Sequence, residues 1–120
     1  MVYDEIEEFG RRIGLSALDL GNGPVTLDIE EIGRLTLTLQ NAPGQEAELS
    51  LMLVREFPQE PAKTARKLLR EADWRTNPPY TIQTGVLNER VFVLTRLPES
   101  RILAAEIENA LRYLTALIAN

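Results

Sequence analysis

Residues Tyr80–Ile118 read YTIQTGVLNERVFVLTRLPESRILAAEIENALRYLTALI. Tyr80, Ile82 and Thr84 alternate with Thr81, Gln83 and Gly85, the period of a strand. After a turn at Asn88-Glu89 the segment Arg90–Leu97 is apolar on both faces in its middle, and Pro98, which supplies no ladder donor, ends it. From Glu99 to Asn120 the hydrophobic period lengthens to that of a helix, with Ser100 and Glu99 at its start. Leu103, Ile107, Ala110, Leu111, Leu114 and Ile118 form its apolar stripe. A strand bare on both faces needs cover on both, so the sheet is expected to carry helix on one side and other material on the other.

Working outward, Asp4–Gly14 reads as a first helix. Ile6, Phe9 and Ile13 recur at helical spacing, acids precede Arg11-Arg12 in the order that suits the helix dipole, and Gly14 is a stop signal. Gly10 allows a close approach to a neighbouring element. Gly21-Asn-Gly-Pro24 is a turn, and Val25–Ile29 and Arg34–Gln40 form a hairpin. In its second strand Leu35, Leu37 and Leu39 share one face and Thr36 and Thr38 the other. Glu46–Phe57 is a third strand, almost continuously apolar from Leu49 to Val54 as a central strand requires. Pro58–Pro61 breaks it and opens a helix over Ala62–Trp74, which carries a local excess of base through Lys63, Arg66, Lys67 and Arg70. The expected fold is α+β: an antiparallel sheet with three helices, in the order α-β-β-β-α-β-β-α, as a single domain over residues 1–120.

The composition narrows the chemistry. The chain has no cysteine and no histidine, which removes thiolate zinc sites, cysteine nucleophiles and the commonest general base. No cofactor or metal is expected. Asp19, Asp28 and Glu30 lack calcium-loop spacing, Glu7-Glu8 and Glu30-Glu31 read as solvated surface, and Ser16, Ser50 and Ser100 have no identifiable base. The net charge of −5, the small size of the basic face and the lack of an aromatic ladder argue against nucleic acid. An acidic N-terminus and the absence of any long apolar run point to a cytosolic protein without membrane insertion. Arginine outnumbers lysine eleven to two, a bias that genomic composition or planar recognition would equally produce.

One feature is in surplus. The first helix, the leucine-bearing linker through Leu15, Leu18 and Leu20, and three apolar-centred strands supply much hydrophobic surface for a small interior. Protein contact is the expected use of the excess, homodimerisation first. Trp74 reads as a core cap or an interface anchor.

The layout resembles the class I chaperones of bacterial type III secretion, the group similar to the Tir chaperone. Four segments carry the likeness: Phe9–Leu15 at the end of the first helix, the hairpin from Gly23 to Leu39, the apolar strand Leu49–Val54, and Val91–Pro98 leading into Ile102–Leu117. The basic helix followed by Asn77-Pro-Pro79 departs from the glycine-bearing loop of that pattern. The resemblance implies a homodimeric, cytoplasmic, bacterial virulence chaperone without catalysis. It would bind the extended N-terminal segment of a secreted effector and keep it secretion-competent, with the secretion apparatus ATPase as a further partner. It implies effector contacts at Ile6, Phe9, Ile13, Leu35, Leu37 and Leu49, and a dimer interface at Leu68, Trp74, Tyr80 and Ile82. The competing readings are a structural or regulatory protein-binding subunit of the secretion system and a small carboxylate-based enzyme.

Overall fold

The structure, a computed structural model, describes residues 2–14, 23–29, 33–56, 63, 67 and 81–119. Helix α1 (Val2–Arg12) is followed by strands β1 (Val25–Ile29), β2 (Gly33–Gln40), β3 (Glu48–Glu56), β4 (Gln83–Leu87) and β5 (Arg90–Pro98). A 3-10 turn (Glu99–Arg101) then leads into helix α2 (Ala104–Ala119). Two α-helices are thus present among the described residues, where three were expected. The expected helix over Ala62–Trp74 lies outside them except for Lys63 and Lys67, both helical and exposed.

All five strands join one antiparallel sheet in the order β1-β2-β3-β5-β4. The last hairpin enters reversed: β4 takes the edge and β5 returns to pair with β3, in register from Glu48 opposite Pro98 to Glu56 opposite Arg90. That inversion places the two most apolar strands, β3 and β5, side by side in the middle. The edges fall to the five-residue strands β1 and β4, and short edges limit unwanted pairing. Asn88, at φ 60°, makes the tight link between β4 and β5, a conformation asparagine tolerates. Thr81 and Ile82 precede β4 rather than belonging to it.

Strand alternation assigns the faces. Leu35 and Leu37 of β2, Leu49, Leu51 and Leu53 of β3, and Val91, Val93 and Leu97 of β5 are buried, with α1 and α2 completing the core through Ile6, Phe9, Ile107, Ala110, Leu114 and Ile118. Thr95, the buried polar residue of this face, donates its hydroxyl hydrogen to the Thr81 carbonyl at 2.9 Å, which meets the cost of its burial.

Helix α2 is fastened at both ends. At its N-terminus the Ala104 amide donates to Glu5 Oε1 of α1 at 2.8 Å, so a carboxylate meets the positive end of the helix dipole. At its C-terminus Arg55 of β3 donates to the Ile118 carbonyl at 3.0 Å. The 3-10 turn is tied to the loop before β3, where the Ala47 amide donates to Glu99 Oε1 at 3.1 Å. Glu99 and Ser100 therefore belong to this turn, and α2 starts later than the sequence suggests. Leu103, placed in the apolar stripe by periodicity, is 49% exposed because it precedes α2; its carbonyl accepts the first helical hydrogen bond, from Ile107.

Helix α1 starts and ends two residues earlier than the expected Asp4–Gly14, and Gly14, at φ 88°, closes the turn after it with its amide donating to the Arg11 carbonyl at 3.1 Å. The helix packs mainly on α2. Gly10 is buried, in keeping with a close helix contact.

Candidate functional site

Five of the six residues expected to contact an effector are core residues. Ile6, Phe9, Leu35, Leu37 and Leu49 are each 2% exposed or less, packed between α1, α2 and the sheet. Beside the first helix the space is filled by the helix's own side chains. Ile13, just beyond α1, is the member that reaches solvent, at 36% exposure. The apolar pattern that nominated them cannot separate a docking face from a core face, because both need the same side chains. Of the expected dimer residues, Leu68, Trp74 and Tyr80 lie outside the described residues, and Ile82 is half-buried against the core.

The face of the sheet opposite the two helices has a different character. It presents Thr26 and Asp28 of β1, Arg34, Thr36 and Thr38 of β2, Ser50, Met52, Val54 and Glu56 of β3, and Arg90, Phe92, Leu94 and Arg96 of β5. Met52, Val54, Phe92 and Leu94 are partly buried, and they meet across β3 and β5 as the pairs Met52–Leu94 and Val54–Phe92. Phe92 lies over Gly85 of β4: a Cβ there would come within 2.7 Å of its ring, so glycine is what lets the aromatic lie flat on the sheet. Around this apolar centre run ion pairs. Arg34 Nε meets Asp28 Oδ1 at 3.1 Å, Arg90 Nε meets Glu56 Oε1 at 3.5 Å, and Arg96 Nε meets Glu48 Oε1 at 3.5 Å. Arg96 also donates to Gln83 Oε1 at 3.0 Å. An apolar centre with a charged rim is the anatomy of a protein-binding surface. The alternation of β2 and β3 contained this face, but the strand order that gathers it does not follow from the sequence.

At one end of this face lies a groove of about 740 Å³, lined by Thr26, Asp28, Arg34, Met52, Val54 and Arg90 among others. Gly33 forms its corner. At φ 151° its backbone passes so close to β3 that a Cβ would collide with the Val54 carbonyl oxygen, so only glycine begins β2 here.

Elsewhere on the surface ion pairs join the two helices, Arg12 lying 3.6 Å from Glu8 and 4.0 Å from Glu108 of α2. Glu8 meets Arg11 at 2.7 Å, Glu106 meets Arg101 at 3.0 Å and Glu108 meets Arg112 at 2.7 Å. A hydrogen bond from Arg11, and its charge, hold the Glu8 carboxyl below its ordinary pKa, and the same contact raises Arg11. No group of three or more acids that could hold a metal ion occurs among the described residues. Among them, too, no helix is long and apolar enough to cross a membrane.

No family model matches the sequence, and no curated protein matches it either. The fold does have a solved counterpart. The chain is similar to the Yersinia pestis type III secretion chaperone SycH, solved in complex with a stable fragment of YscM2, with a TM-score of 0.69 and 16% identity over 98% of this chain and 99% of that one. The fold is therefore that of a type III secretion chaperone.

Proposed function

We propose that this chain is a type III secretion chaperone: a homodimer in the bacterial cytoplasm that holds the extended N-terminal chaperone-binding segment of a secreted effector and performs no covalent chemistry. The observation that carries the reading is the fold, shared over nearly the whole of both chains with a chaperone solved while holding a fragment of another protein. The sheet adds support, since it offers a charged-rimmed apolar face and two short edge strands to which an extended segment can add. Because Ile6, Phe9, Leu35, Leu37 and Leu49 fill the interior, the client-facing role passes to Ile13 and to the open face of the sheet. Self-association falls to Leu68, Trp74, Tyr80 and Ile82, and the secretion apparatus ATPase is the proposed recipient of the loaded complex.

The test joins light scattering with protease trimming of the client complex isolated from the native cytosol. A dimer at micromolar concentration that protects an extended N-terminal segment supports the reading. A monomer, or a partner bound only as a folded globule, overturns it; the second outcome would favour a structural or regulatory subunit.

A further inference from the structure

We draw no further inference here: the strongest candidate, the half-covered apolar patch of Met52, Val54, Phe92 and Leu94 on the sheet face opposite the helices, with the groove at its end, carries nothing because nothing in the structure shows what covers it.

Discussion

Leu51 and Met52 are consecutive residues of β3, and they sit in different environments. Leu51 is fully buried beneath the two helices, whereas Met52 is only partly covered on the opposite face beside the charged rim. The helix-covered face is apolar almost throughout, with one buried threonine whose hydroxyl is satisfied. The other face mixes apolar side chains with threonines and cross-strand ion pairs. The first arrangement maximises burial and so stability. The second leaves side chains incompletely buried, which costs stability and keeps surface for a partner. One strand thus divides a dry core face from a half-covered one between its odd and even positions.

The largest expected effect comes from breaking that division directly. Leu51→Ala removes a fully buried side chain and should cost about 2–5 kcal/mol in urea unfolding. Met52→Ala, one residue away, should cost about 1 kcal/mol and act mainly on client binding. Equal losses would mean that the second face is itself a core in solution, and the division would fail.

Much of the architecture was legible in the sequence. Val25–Ile29 emerges with the bounds its alternation gives, β2 and β5 differ by one terminal residue, and β3 is shorter than expected yet occupies the central position its apolar run requires. Local periodicity is enough for this, because each strand's pattern is set by which side of the sheet is dry. The order β3-β5-β4 was not legible: antiparallel pairing of the last hairpin through either strand satisfies the same local pattern. The start of α2 was missed because Leu103 continues the helical apolar period while the backbone at Glu99–Arg101 is still a 3-10 turn. The burial of the expected effector residues has a related reason. Ile6, Phe9, Leu35, Leu37 and Leu49 carry a strong apolar signal, but that signal measures burial and does not name what does the burying. Arg34 and Arg90, unremarkable in the sequence, are brought to one groove only by the pairing of β2 with β3 and β3 with β5.

Next in size is the corner where the open face ends. Gly33→Ala would force a side chain onto φ 151° and into the Val54 carbonyl, and should cost roughly 1–3 kcal/mol, read as a lowered thermal midpoint. Gly44 sharpens the point: at φ 78° a Cβ there would meet nothing within 4 Å, so Gly44→Ala encounters backbone strain alone and should cost less. If the two alanines are equally tolerated, the close approach of β2 to β3 is not a constraint on the groove.

A smaller effect belongs to the joint between the helices. Glu5→Ala removes the acceptor for the Ala104 amide and should lower stability by about 1 kcal/mol, while Glu5→Gln, which keeps an acceptor oxygen, should recover most of it. Hydrogen exchange at Ala104 is the local readout. Fast exchange in the alanine variant alone confirms the cap; no difference between the variants removes it.

The smallest effect concerns Glu8, and it bears on how firmly the exposed ion pairs of the rim hold. Arg11 holds the folded-state pKa of Glu8 below its ordinary value of 4.5. A depressed carboxylate contributes stability that is present above 4.5 and is lost as pH falls through the lower folded value. The pair is solvent-exposed, so the step is small and screened by salt. Comparing thermal midpoints of wild type and Glu8→Gln across this acid range should show a slight advantage for wild type at neutral pH that disappears in acid. A gap that persists in acid would mean that Glu8 acts otherwise than through its charge, and a large gap that closes in acid would mean that exposed arginine pairs on this chain are strong. Asp28–Arg34 and Glu56–Arg90 would then fasten the rim, and the open face would be a second stabilising surface.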